Sequence, residues 1–179
     1  SAICMPARSS FISGTFPHQN GIWRNSGSLP ADSDTFFQHL QAAGYRTAHI
    51  GKSHYGGHSP GNHLKNHEPY MHARGFDDVH EATGPRATRN CNSYLTDHWR
   101  EVGLLDTFYE DYNSRDVDWA FTVKPSALPW EEHMDSYIGR RAVEWVDGAP
   151  SDVPTCMYVG FPGPHEPWDA PEPYASMYN

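Results

Sequence analysis

Cys4-Met5-Pro6-Ala7-Arg8 places a thiol, a proline and a guanidinium within five residues. Proline favours the first turn of a helix and glycine the position just past its end. The run closed by Gly14 therefore predicts a short helix over 5–13, with Cys4 at or before its N-cap. A thiol there feels the positive end of the helix dipole, and Arg8 one turn on adds a cation. Both favour the thiolate. The same helix end, with Arg8, would also suit an anion. The plainer alternative is a small buried residue that only caps the helix.

Gly51-Lys52-Ser53-His54 follows an apolar run that reads as a strand. In open α/β sheets ligands bind beyond the carboxyl ends of strands. With one residue between them, Lys52 and His54 can point to the same side of an extended chain. A lysine and an imidazole converging there suggest anion binding combined with proton transfer; an exposed loop with incidental charge is the alternative. His165 repeats the arrangement, since a buried-strand pattern runs into Pro162-Gly163-Pro164-His165-Glu166-Pro167. A proline-flanked loop presents a side chain at low entropic cost.

His54, His58, His63, His67 and His72 raise the question of a structural metal site. Their spacing falls on a Gly/Pro/Asn-rich stretch that will not hold a helix face, and no Cys-x-x-Cys or His-Glu-x-x-His is present. A solvated loop is the simpler reading, with a non-catalytic, His-rich metal-binding module as its rival. Three cysteines, Cys4, Cys91 and Cys156, cannot complete a disulfide framework. Cys91 and Cys156 are expected to be inert thiols.

These groups need elements to hold them. The clearest is a helix over Asp32–Gly44, with Ser33 or Asp34 as cap and Phe36, Phe37, Leu40 and Ala43 as its apolar stripe. A strand over Tyr45–Ile50 follows at once, the rhythm of an α/β protein. Periodicity is lost from Gly51 to about Trp130. It returns as a helix over Glu131–Val146 and a strand over Thr155–Phe161. The chain has 179 residues and a formal charge of −9, which argues against a duplex nucleic-acid partner. No stretch approaches the roughly 20 apolar residues of a membrane span, and 13% aromatic content argues against disorder.

Cys4-Met5-Pro6-Ala7-Arg8 with Phe11-Ile12-Ser13-Gly14 resembles the first signature of the type I sulfatases. Phe16 to Ile22 is similar to the segment that follows it there, and Gly44 to His54 to the second signature. Arg74-Gly75-Phe76-Asp77 and Phe161 to Pro167 also fit, in order. Ser53 stands where that family often has an aromatic residue. The resemblance implies an alkaline-phosphatase-like α/β sandwich, its central, mostly parallel sheet flanked by helices and here only partly present. It implies that residues 1–179 are a partial catalytic domain, the N-terminal half, with 51–130 a loop-rich insertion.

The implied activity is sulfate ester hydrolysis, with phosphonate or phosphate monoester hydrolysis as the rival within the fold. Cys4 would be converted to formylglycine by a maturation enzyme and would be a ligand of a calcium ion. The other ligands are expected outside these residues. Arg8 would orient the formylglycine, and Lys52 would bind both it and the sulfate. His54 would take a proton, and His165 would contact the sulfate and protonate the leaving oxygen. The expected partner is a sulfated small molecule or sulfated glycan. The resemblance is consistent with a periplasmic or secreted location. The chain by itself is expected to be inactive and to self-associate.

Overall fold

The computed structural model describes residues 2–115 and 122–178. Strands β1 (Arg46–Lys52), β2 (Asp78–Ala82) and β3 (Thr155–Gly160) form a sheet in the order β2-β1-β3. Both pairings are parallel, with Ile50 opposite His80 on one side and opposite Val159 on the other. Parallel neighbours need crossover connections, and helices supply them. Helices α1 (Cys4–Ser13), α2 (Pro17–Asn20) and α3 (Phe36–Ala42) precede β1, and α4 (Glu68–His72) lies between β1 and β2. Between β2 and β3 run α5 (Pro85–Thr88), α6 (Tyr94–Glu101), α7 (Leu105–Ser114) and α8 (Met134–Asp147).

Strand side chains alternate between two apolar layers, as the period of two requires. Ile50, Met157 and Val159 pack with Trp99, Phe108, Tyr137 and Ile138 of α6, α7 and α8. Val79, Cys156 and Tyr158 face the other way, onto Ile12, Phe37, Met71 and Phe76. A parallel sheet with helices on both faces is the expected α/β architecture.

The helix expected over Asp32–Gly44 begins later, because Thr35 is its N-cap rather than Ser33 or Asp34. Thr35 Oγ1 accepts the Gln38 N–H at 3.3 Å, and Gln38 Oε1 accepts the Thr35 N–H at 2.8 Å. Only Thr35 has a glutamine three residues on, so only Thr35 can close this reciprocal box. Cys4 is the first residue inside α1, not its cap; Ile3 is extended and occupies that position. β1 continues past Ile50 to Lys52, and β3 stops at Gly160. The stretch from 51 to 130 is less irregular than its composition implies, since it holds β2, α6 and α7. These helices are short, with few apolar residues each. Leu95 and Trp99 anchor α6; Leu105, Phe108 and Tyr112 anchor α7.

The ends of β1 and β3 approach unusually closely. Gly51 has φ +95°, and a Cβ there would lie 2.3 Å from the Gly160 carbonyl oxygen. A Cβ on Gly160 would in turn lie 2.2 Å from the Lys52 carbonyl oxygen. Only paired glycines let the two strand ends converge, and that convergence brings the 52–54 and 161–165 segments together.

Candidate active site

Cys4 opens α1 with its thiol partly exposed. The residue that holds it is Asn25, 21 positions away. Asn25 Nδ2 lies 3.1 Å from Cys4 Sγ, and Asn25 Oδ1 accepts the Met5 N–H at 3.0 Å. Since Ile3 offers no side-chain cap, Asn25 supplies from outside the helix what an N-cap residue normally supplies from within. Nothing in the spacing of Arg24-Asn25-Ser26-Gly27 distinguishes it from an ordinary loop.

Arg8, one turn along α1, ties that helix to both strand ends. Its guanidinium donates to the Lys52 carbonyl, to Tyr158 Oη at 3.2 Å and to the Phe161 carbonyl at 3.3 Å. A planar fork of five donors suits such a clasp. Tyr158 was not singled out by the sequence. Its signal is only its alternation with Met157 and Val159, which turns it toward α1.

Lys52 is buried, and its pKa falls below the ordinary lysine value. Burial is the main cause, Arg8 adds to it, and the Cys4 sulfur and Glu166 oppose it. Gly84 leaves room for its amine, because a Cβ there would stand 2.9 Å from Lys52 Nζ. His54 follows in the left-handed region at φ 56°, which costs a β-substituted residue about 1–3 kcal/mol and is concentrated at functional sites. Burial pushes its pKa down to about 3, helped by the positive fields of Lys52, His58, Arg8 and His165. At neutral pH its imidazole is therefore uncharged.

His165 lies on the loop beyond β3. Its Nδ1 is 2.6 Å from the Glu166 carbonyl. A carbonyl can only accept, so Nδ1 carries the hydrogen and Nε2 is left for other work. Glu166 is itself paired with Arg86. The Arg8 bonds to the Lys52 and Phe161 carbonyls bring α1, the Lys52–His54 turn and the loop carrying His165 together at the carboxyl edge of the sheet. Beside it, a cavity of about 620 Å³ is lined by Phe161, Trp130, Trp168, Tyr174 and His165, among others.

Three of the other histidines of the 54–72 stretch go to separate partners. His63 pairs with Asp97 at 3.1 Å, His67 with Glu81 at 3.4 Å, and His72 Nδ1 with the Phe76 carbonyl at 2.8 Å. Among the described residues no group of three or more His, Cys, Asp or Glu side chains is arranged to hold a metal ion. Burial pushes the Cys91 thiol up to about 11 and raises that of Cys156, so both stay protonated.

A family model described as sulfatase matches residues 1–179. The uncharacterized sulfatase YidJ of Escherichia coli is 28% identical over 99% of this chain, which spans 32% of that protein. Human arylsulfatase G is 35% identical over 92% of this chain, again spanning 32% of the relative. The phosphonate monoester hydrolase of Agrobacterium radiobacter has the same fold, with a TM-score of 0.64 at 18% identity, covering all of this chain and 35% of that one. The chain thus spans about a third of the length of these relatives.

Proposed function

The chain belongs to the sulfatase family, and we propose that it contributes the nucleophile-bearing part of an enzyme that hydrolyses sulfate esters. The observation that carries this reading is that Arg8, one turn after Cys4, hydrogen-bonds the Lys52 and Phe161 carbonyls, so that α1, the Lys52–His54 turn and the loop bearing His165 meet at one sheet edge although 161 positions separate Cys4 from His165.

Converted to formylglycine, residue 4 would supply a hydrated aldehyde that accepts sulfate through one hydroxyl and releases it through the other, which a simple serine or cysteine ester could not do. The site at Cys4 suits that conversion, being partly exposed at a helix start and held by Asn25. Arg8 fixes the helix against both strand ends and so sets the position of residue 4. The Lys52 amine would bind the sulfate oxygens and residue 4 together, its charge counting for more in a buried setting than in water. Neutral His54 would take the proton that release requires. His165 would contact the sulfate and, with its ring in the imidazolium form and a second proton on Nε2, would pass that proton to the departing alcohol oxygen. A calcium ion would screen the charge of the sulfate and would be held in part by residue 4 as formylglycine; among the described residues no group of three or more His, Cys, Asp or Glu side chains is arranged to hold it.

The aromatic wall beside His165 suits the organic part of the ester, an aryl group or a sugar ring. Residues 1–179 are read as one partial catalytic domain. Two measurements on the full-length protein test the proposal. Mass spectrometry after co-expression with a formylglycine-generating enzyme should find the aldehyde at residue 4, and an active enzyme with unmodified Cys4 would end the formylglycine mechanism. Rates on paired aryl sulfate and aryl phosphonate esters should favour sulfate. A preference for phosphonate would assign the site to the rival monoesterase chemistry.

A further inference from the structure

Ser53 separates Lys52 from His54, and its side chain does not face the sulfate site. Its hydroxyl donates to Glu81 Oε1. Glu81 lies near the end of β2, in register with Gly51 of β1, and is only 1% exposed. A buried carboxylate is expensive unless hydrogen-bonded and charge-balanced. Beyond Ser53, its neighbour is His67, whose Nδ1 is 3.4 Å from Glu81 Oε2. Glu81 in turn raises the His67 pKa. His67 is itself held, stacked on Tyr70 at 5.1 Å and packed so tightly on Gly56 that a Cβ there would lie 3.0 Å from the ring. The partly buried His58 stacks on His54, with ring centroids 5.3 Å apart and planes 13° from parallel.

We infer that Glu81, acting through Ser53, is a positioning residue for the Lys52–Ser53–His54 turn. The chain bends there into a left-handed conformation at His54, one that residues other than glycine populate sparsely. A single anchor in the middle of the turn, fixed to the buried Glu81 side chain, holds that conformation. It presents the lysine and the imidazole to one side. The family's frequent aromatic at this position would have to hold the turn by packing; Ser53 holds it by a hydrogen bond. The inference rests on the reading of Lys52 and His54 as site residues. It adds two residues that touch no substrate.

The test uses the full-length protein, an aryl sulfate, and the variants Ser53→Ala, Glu81→Gln, their combination, and His54→Ala. Ser53→Ala and Glu81→Gln should each lower kcat by about tenfold or more while KM changes little, as expected of misplaced rather than missing groups. The double variant should lose no more than the worse single one, because both act through one contact. Wild-type kcat in a folded Ser53→Ala protein would overturn the inference, as would fully multiplicative losses. Ser53→Ala removes only a hydroxyl, so the test stands even where Glu81→Gln misfolds. Full turnover by His54→Ala would defeat the reading of the site and this inference with it. Loss in His54→Ala alone, with Ser53→Ala and Glu81→Gln intact, would defeat only the positioning role.

Discussion

Asn25 holds the Met5 N–H and the Cys4 sulfur at once, so its loss should disturb both the helix start and residue 4. Asn25→Ala is expected to cost about 1 kcal/mol of stability, the usual price of a lost cap, and to lower aryl sulfate turnover by a larger factor than that loss explains. Comparing urea midpoints with kcat separates the two; unchanged kcat would mean that Asn25 only caps. The reacting types at this site were legible because Cys, Arg, Lys and His sit in short motifs at predicted element ends. Asn25, Tyr158 and Glu81 were not. Each reaches the site across 21 or more positions or across a strand pairing, and none has a chemistry that singles it out before the chain is folded.

At the scale of elements, the loop after β2 must leave space for Lys52. Gly84→Ala should push the Lys52 amine aside and reduce turnover several-fold, by the logic that small displacements of a charged group near the reacting atoms are costly. A Gly84→Ala enzyme with unaltered kcat and KM would show that the amine has room to spare. β1 carries a second consequence. His49 is fully buried, stacked on Tyr158 at 5.2 Å, and burial pushes its pKa down to about 4. Its unfolded value is about 6.5, so the unfolded chain takes up the proton first as pH falls. The stability this ring contributes is complete above about pH 6.5 and is lost as pH falls toward 4. His49→Phe should therefore lose roughly 2 kcal/mol less than wild type between pH 7 and pH 5, measured by urea unfolding; identical losses would refute the assignment. The strands and helices flanking the site were readable because each carries a long apolar stripe or a clear stop. β2, with the sequence Asp-Val-His-Glu-Ala, was not, because its pairing partner rather than its composition makes it a strand.

For the whole molecule, β2 and β3 are outer strands, each paired on one side in the described sheet. Phe161, Trp168, Tyr174, Met177 and Tyr178 are all exposed near the end of the described chain. Unpaired strand edges and clustered exposed apolar groups favour association. The 179-residue chain alone should sediment as concentration-dependent oligomers; a single monomeric boundary at every concentration would contradict this. The chain spans about a third of the length of its relatives, and on its own it should also turn over aryl sulfate far more slowly than the full-length protein. The central claim concerns residue 4, and it is tested most directly by aryl sulfate turnover in full-length variants at each cysteine. Cys4→Ala should fall to the uncatalysed background, while Cys91→Ala and Cys156→Ala, folded to the same extent, keep the wild-type rate. Wild-type kcat/KM in the Cys4→Ala enzyme would contradict the account.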